Sequence, residues 1–245
     1  MEYNKSSNPT LSALNKVSHA SGSNHMTESG TFNKVIILTL IVVLFGYFGW
    51  NTANPALIFP LLITTLIVGL AIVIALAFKP LWAPVLAPIY AVVEGYFLGV
   101  ISVFFNLLYP GIVMQAIMLT LLVAFIMNYL YRARIIKVTE KFRSVIMIAT
   151  FSIFGIYMIS ILVDIFAGSS IPLIHEGGLI GIGFSLVVVT IASLNLLLDY
   201  DFIEKSSKNN LPKAMEWYGA FALIVTLVWL YLEILKLLAK LRSND

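Results

Sequence analysis

The sequence predicts an all-α integral membrane protein with seven transmembrane helices. Its composition carries much of this prediction, because 60% of the 245 residues are hydrophobic and only 11% are charged. Soluble domains are about 25% charged, so this chain has too little polar surface to enclose a core in water. Its mean hydropathy of +0.97 agrees. The composition therefore excludes a soluble enzyme, a nucleic-acid-binding protein and a disordered chain.

Apolar stretches of the right length give the second observation. Each is near the ~20 residues that cross a hydrocarbon core, and each is continuously apolar rather than alternating, which favours helices over a β-barrel. Turn residues such as Asn54-Pro55 and Tyr109-Pro110-Gly111 separate the stretches, and the short connections favour antiparallel neighbours. The seven predicted spans are residues 35–50, 56–78, 84–106, 111–131, 144–167, 179–198 and 218–238.

The N-terminal segment has a different character. Residues 1–33 are polar and rich in Ser, Asn and Thr, so we expect a flexible cytoplasmic tail. A secretory signal would place its short apolar core nearer the start, and we therefore expect no cleavage. Residues 34–245 then form the seven-helix transmembrane domain.

Basic residues predict the orientation. Of the fifteen Lys and Arg residues, twelve lie in the tail and in the loops after the second, fourth and sixth spans, and none lies in the other three loops. The positive-inside rule therefore places the N-terminus in the cytoplasm. Lys236, Lys240 and Arg242 would lie outside if all seven spans cross. A re-entrant last segment, which returns the C-terminus to the cytoplasm, is the alternative.

Several enzyme and metal classes lack their signatures. The chain has no cysteine and three histidines, and none of these forms a helical pair for zinc. P-loop, zinc-protease and serine-hydrolase motifs are absent. Phe184 stands where an intramembrane aspartyl protease has its Asp, and Lys236 lies too near a helix end to hold retinal. We expect no enzyme, no nucleic-acid partner and no cofactor.

An ionisable side chain inside a span is a functional candidate, because a charge in lipid is costly. Glu94 lies near the middle of the third span, beside Gly95 and Gly99. Glycines four residues apart allow close helix approach. Glu94 is therefore a candidate for a pathway through the bundle, and the alternative is a neutral, hydrogen-bonded carboxyl in a tight helix contact.

Asp199 and Asp201 end the predicted sixth span. Two residues of helix correspond to about 200° of rotation, so the two side chains face different partners. Asp199 shares a face with Asn195, whereas Asp201 can pair outward with Lys205 at i+4. This favours Asp199 as the inward group, and the alternative is that both residues are interfacial.

Glu233 lies well inside the seventh span. Lys236 follows at i+3, so simple neutralisation of Glu233 is one explanation. The other is a group of carboxyls in the bundle. Two close carboxyls do not both ionise easily, so they can share a proton, and when ionised they suit a hard cation such as Ca²⁺. Glu216 begins the seventh span, where the helix dipole alone explains an acid.

Three segments resemble the transmembrane Bax-inhibitor-motif family. SLNLLLD at residues 193–199, followed by a basic loop, and LYLEIL at residues 230–235 resemble the family's last two spans. YAVVEGYFL at residues 90–98 resembles its third-span motif. The resemblance covers the chain after residue 33, and the start of the chain looks like a bacterial branch. It implies two three-helix groups around a central C-terminal helix, in the bacterial cytoplasmic membrane.

The resemblance also implies an activity, a pH-dependent calcium leak controlled by an acidic pair. By position that pair is Asp199 and Glu233, which would also be the calcium ligands, with Glu94 lining the path. Lys79 is a candidate basic latch. Glu233 stands where Asp is usual and Lys236 where Asn is usual, and both departures weaken the calcium assignment. The expected partners are the lipid bilayer and calcium or protons, and we expect a monomer. The alternative is a non-conducting membrane protein that regulates proteases or stress responses.

Overall fold

A computed structural model describes residues 25–54, 57–167 and 178–243 of the chain. No β-strand occurs in these ranges. Their seven long helices are each long and apolar enough to cross a membrane, which confirms the predicted all-α, multi-pass class. The helices are α1 (Glu28–Thr52), α2 (Ile58–Phe78), α3 (Ala83–Leu108), α4 (Ile112–Arg132), α5 (Glu140–Ala167), α6 (Leu179–Lys208) and α7 (Met215–Arg242).

The turns between these helices follow from local chemistry. Pro80 begins a short 3₁₀ turn, Pro80–Trp82, between α2 and α3, where its missing N–H is not needed. Gly111 precedes α4 with a φ of 83°, a left-handed conformation that glycine adopts without steric penalty. These turns fall at breaks between the predicted spans.

Helix α1 begins at Glu28 and not at residue 35 as predicted. Thr27 caps this end, since its hydroxyl oxygen accepts a hydrogen bond from Gly30 N–H at 3.0 Å. Residues 28–33 therefore belong to the helix, and their assignment to a flexible tail is wrong. The polar first turns were missed because a hydropathy pattern marks the apolar part of a helix, not its capped end. Residues 1–24, the rest of the predicted tail, lie outside the described residues.

Helix α6 extends past the predicted end at residue 198, as far as Lys208. Asp201 pairs with Lys205 at 2.8 Å, and Glu204 pairs with Lys208, both at i, i+4 spacing. Such pairs support a polar helical segment. Asp199 and Asp201 therefore lie inside a longer helix, and their place at the end of the membrane span stays a prediction.

Helix α7 is the most buried of the described helices. Of its most apolar 18-residue window, 56% is buried, against 11% for α1. It is one continuous helix long enough to cross the membrane, as seven full spans require. The grouping of the other six helices into threes around it stays a prediction.

The chain divides into two compact units. The first contains the described part of Met1–Gly99 together with Asp201–Ile224, and the second contains Val100–Tyr200 and the described part of Val225–Asp245. Helices α3, α6 and α7 each contribute residues to both units. Of the predicted site residues, Glu94, Asp201 and Lys79 belong to the first unit, and Asp199, Glu233 and Lys236 to the second.

Glycines bring α1 and α3 close together in the first unit. A Cβ added at Gly95 would lie 2.6 Å from the carbonyl oxygen of Val42, and one added at Gly99 would collide with the carbonyl oxygen of Gly46. A Cβ at Gly49 would in turn meet the α3 backbone at Tyr96. The close helix approach predicted from the two α3 glycines is confirmed.

Candidate ion site

Glu233 is held by three neighbours in the second unit. Only 2% of the residue is exposed. Its Oε1 lies 2.6 Å from the Lys236 ammonium and accepts a hydrogen bond from Trp229 Nε1 at 3.2 Å. Its Oε2 accepts one from the Tyr157 hydroxyl of α5 at 2.9 Å. The structure thus contains the ion pair that the sequence offered as the simpler explanation of Glu233.

Helix geometry explains this arrangement. Trp229, Glu233 and Lys236 follow one another at spacings of four and three residues, so they share one face of α7. The ammonium of Lys236 also lies 4.6 Å from the centre of the Tyr157 ring, a favourable position for a cation. The carboxylate therefore has both oxygens bonded, and its charge is balanced on its own helix.

A largely apolar groove of about 320 Å³ runs along this cluster between α5 and α7. Its walls combine the Glu233–Lys236 pair with aromatic and aliphatic side chains. The Lys236 side chain is partly exposed at this groove, whereas Glu233 is buried in its wall. It is lined by Thr150, Ile153, Phe154, Tyr157, Trp229, Leu232, Glu233 and Lys236.

Asp199 is bonded differently from Glu233. The residue as a whole is half-buried, but its Oδ2 is buried and has no hydrogen-bond partner among the described residues. The Thr226 side chain of α7 hydrogen-bonds its carboxyl group. A buried carboxyl with an unused oxygen is costly, so Asp199 is the site residue whose surroundings leave it least satisfied.

Asn195 extends the polar stripe of α6 by one turn, as predicted. Its side-chain Nδ2 donates to the Thr150 hydroxyl of α5 and to the Ile191 carbonyl, each at 2.8 Å. Thr150 also lines the groove beside Glu233. Polar side chains thus connect the face of α6 that carries Asp199 with the α5 wall of the groove.

Asp199 and Glu233 do not share a hydrogen bond in the described structure. Thr226, the α7 partner of Asp199, lies seven residues before Glu233, which is about 10 Å along a helix axis. Each carboxyl has its own partners, Thr226 for Asp199 and Lys236 with its neighbours for Glu233. Both acids lie in the second unit, but Asp199 of α6 contacts α7 about two turns before Glu233.

The other predicted residues lie in the first unit. Asp201 forms the predicted pair with Lys205, at 2.8 Å, but it is buried at 6% exposure, so its predicted outward position is wrong. Lys79 ends α2 with its ammonium 4.2 Å from the centre of the Trp82 ring. A role for Lys79 as a latch stays a prediction.

Glu94 faces α2 in the first unit. Tyr90, one turn earlier on α3, hydrogen-bonds its carboxyl group. A Cβ added at Gly69 of α2 would lie 3.1 Å from Glu94 Oε2, so the glycine leaves room for this acid. The Tyr90 ring packs edge-on against Phe221, with centroids 5.0 Å apart. Glu94 is half-buried, and its hydrogen bond to Tyr90 fits the tight helix contact predicted as its simpler explanation.

Sequence reasoning missed the importance of Glu216. The residue is 1% exposed, and its Oε2 lies 2.6 Å from the Lys34 ammonium. Its Oε1 accepts hydrogen bonds from both the backbone N–H and the hydroxyl of Thr27, each at 3.0 Å. No local signal joins residues this far apart in sequence. A helix-dipole explanation of Glu216 is incomplete, because the acid also caps α1.

A resident calcium ion needs several oxygen donors. Ca²⁺ in proteins takes six to eight oxygen ligands, commonly several of them carboxylates. In the described ranges, no group of three or more His, Cys, Asp or Glu residues could hold a metal ion. Asp199 supplies one carboxyl, and Glu233 is already paired with Lys236. Asp199 and Glu233 as calcium ligands therefore stay a prediction.

Comparison with known proteins places the chain in a family. No curated protein matches it. A family model described as Bax inhibitor 1 like matches residues 8–243, nearly the whole chain. That match includes the three segments that carry the resemblance in the sequence and all seven described helices. The chain therefore belongs to the Bax inhibitor 1 like family of membrane proteins.

Proposed function

We propose that this protein is a pH-sensitive leak for calcium or another cation, monomeric and without enzymatic activity, in a bacterial cytoplasmic membrane. The N-terminus faces the cytoplasm. The observation that carries the proposal is the buried Oδ2 of Asp199, which has no hydrogen-bond partner in the described structure. Such an oxygen is suited to take up a proton or to contact a passing cation.

Asp199 is the centre of the proposed pathway. Its neighbours Thr226 and Asn195 are neutral, so neither supplies a charge that offsets the gain or loss of a proton by the carboxyl. A neutral Asp199 leaves no charge on this face of α6, whereas an ionised Asp199 attracts a cation. Protonation of this one residue therefore controls whether the site favours a cation. The role of Glu94 in a path stays a prediction.

Glu233 has a second role in this proposal. It is balanced by Lys236, whose side chain is 39% exposed and so has room to move. A cation at Glu233 would have to displace this ammonium. The Glu233–Lys236 pair is therefore a separate barrier, about 10 Å along α7 from Thr226, and Glu233 does not share a proton with Asp199 in this proposal.

The same pair supports the second candidate function, a non-conducting regulator of proteases or stress responses. Glu233 is held by one ion pair and by hydrogen bonds from Tyr157 and Trp229, as a residue that serves packing alone would be. A regulator of this kind keeps its function when the intramembrane acids are neutralised, whereas a leak does not. This difference separates the two functions experimentally.

The test is calcium influx into proteoliposomes between pH 5 and pH 8, with potassium influx measured in parallel. Wild type is compared with Asp199→Asn and Glu233→Gln. Glu140→Gln is the matched control, because Glu140 is an exposed acid in the first turn of α5. We expect a pH-dependent flux that Asp199→Asn makes independent of pH and that the control leaves unchanged.

Two results would overturn the proposal. Folded wild-type protein with no flux of either ion above empty liposomes removes the leak and favours the regulator. A flux with an unchanged pH dependence in Asp199→Asn removes Asp199 as the sensor. Potassium flux without calcium flux would assign the ion as monovalent.

A further inference from the structure

The segment ahead of α1 is tied to the connection between α6 and α7. The backbone N–H of Met26 donates to the Leu211 carbonyl at 2.7 Å, and the Ser207 hydroxyl donates to the Met26 carbonyl at 3.3 Å. His25 Nδ1 lies 3.0 Å from the Asn210 carbonyl oxygen. We call residues 25–34 the strap. All of these contacts lie inside the first unit.

Glu216 closes the strap. It is the second residue of α7, and its carboxylate accepts the hydrogen bonds of Thr27, the N-cap of α1. The positive ends of two helix dipoles thus converge on one carboxylate. Lys34 adds a full positive charge at 2.6 Å, and its ammonium lies 5.5 Å from the centre of the Trp217 ring.

Two glycines make this approach possible. A Cβ added at Gly30 would collide with the carboxylate of Glu216. A Cβ added at Gly219 would press on Ile203 and Thr31, each at 3.2 Å, and on Met26 at 3.4 Å. The first turns of α1 and α7 are therefore fitted to each other around one acid.

The outer part of the strap is hydrogen-bonded but buries little apolar surface. His25, Thr27 and Glu28 are exposed, and Met26 at 1% exposure is the one apolar anchor among residues 25–28. Segments with few buried apolar contacts open locally at much lower free energy than the whole protein unfolds. The strap combines such a segment with a charged lock, which is the arrangement of a reversible contact.

We propose that residues 25–34 form a reversible strap, locked by Glu216, which restrains the first turn of α7 and lowers the leak while it is closed. Helix α7 is continuous from Met215 to Arg242 and carries Thr226 and Glu233 in its later turns. The effect on the leak rests on the proposed function. The strap itself does not.

Cysteine cross-linking tests the strap without any flux measurement. The chain has no cysteine of its own, and His25 and Pro212 form an antiparallel bridge, a spacing within reach of a disulfide. We expect His25→Cys/Pro212→Cys to cross-link rapidly under mild oxidation. Glu216→Gln slows this about tenfold, and so does Lys34→Met, a second variant in case the first does not fold. Glu28→Gln, an exposed acid of the strap, leaves the rate unchanged.

Flux through the double-cysteine protein then tests the restraint. We expect the oxidised protein to leak several-fold less than the same protein after reduction. Equal cross-linking rates with and without Glu216 would overturn the lock, and equal flux in the two states would overturn the restraint. If neither state nor wild type leaks, the proposed function fails. The restraint is then measured as amide hydrogen exchange in the first turn of α7, and exchange that is not slowed by oxidation overturns it.

Discussion

The ammonium nitrogen of Lys236 lies 2.6 Å from Glu233 Oε1, three residues away on α7, and the two ends of this pair differ in exposure. The Glu233 side chain is 2% exposed, whereas that of Lys236 is 39% exposed. Loss of the pair therefore destabilises the buried carboxylate more than the partly exposed ammonium. Removing Lys236 would leave a buried carboxylate with Tyr157 and Trp229 as its hydrogen-bond partners and without its ion pair.

Lys236→Met is accordingly expected to lower the free energy of unfolding by about 2 kcal/mol. Breaking a buried pair costs ~3–5 kcal/mol, and the partial exposure of Lys236 reduces this value. Lys236→Met/Glu233→Gln should recover most of the loss, because no unpaired charge remains. Lys137→Met, at an exposed loop lysine, is the control. Thermal unfolding in detergent measures all of these. No recovery in the double variant would contradict the ion-pair explanation.

The α1–α3 contact gives a prediction with a matched control. Gly99→Ala places a methyl group against the Gly46 carbonyl oxygen and 2.9 Å from Gly49 Cα. Because both obstacles are backbone atoms, the helices must separate. We expect this to lower the free energy of unfolding by ~1–3 kcal/mol or more. At Gly155 of α5 a Cβ meets no atom within 4 Å, so Gly155→Ala should be neutral or slightly stabilising. Equal stability of the two alanine variants in detergent would show that the contact is not tight.

Part of this structure was open to sequence reasoning, and part depends on distant contacts. The number of helices and the close approach at Gly95 follow from local hydropathy and spacing. The continuation of α6 to Lys208 is a polar segment supported by ion pairs. A hydropathy pattern marks the end of the apolar span and does not detect such a segment. The pair between Lys34 and Glu216 joins residues on the first and last described helices. No spacing rule relates two such helices.

The candidate site also has one part that follows from local sequence and another that depends on distant contacts. The spacing of Glu233 and Lys236 is a property of one helix, so their pairing was open to prediction as one of two explanations. The level at which Asp199 meets α7 depends instead on how far α6 and α7 are displaced along their axes. Asp199 lies beside Thr226, and a sequence does not contain that displacement. An acidic pair inferred by position therefore becomes two separately bonded acids.

A buried contact between α3 and α7 in the second unit gives the next prediction. The Ser102 and Tyr231 hydroxyl oxygens are 2.6 Å apart, and both residues are buried. Tyr231→Phe leaves the serine without this partner and should lower the free energy of unfolding by about 1–2 kcal/mol. Ser102→Ala/Tyr231→Phe should lose less than the sum of the single variants. Additive losses, measured by thermal unfolding, would mean that the two hydroxyls do not interact.

Gly69 provides a test of Glu94 that leaves the acid itself in place. A methyl group at this position of α2 would lie 3.1 Å from Glu94 Oε2, closer than ordinary contact, so Gly69→Ala should push the carboxyl aside. The far end of a side chain can move, and the stability loss should therefore stay below about 1 kcal/mol. If Glu94 lines the cation path, calcium influx should fall several-fold in Gly69→Ala and in Glu94→Gln, and remain at the wild-type level in Gly155→Ala. Wild-type influx in Glu94→Gln would instead make Glu94 a carboxyl that serves helix packing alone.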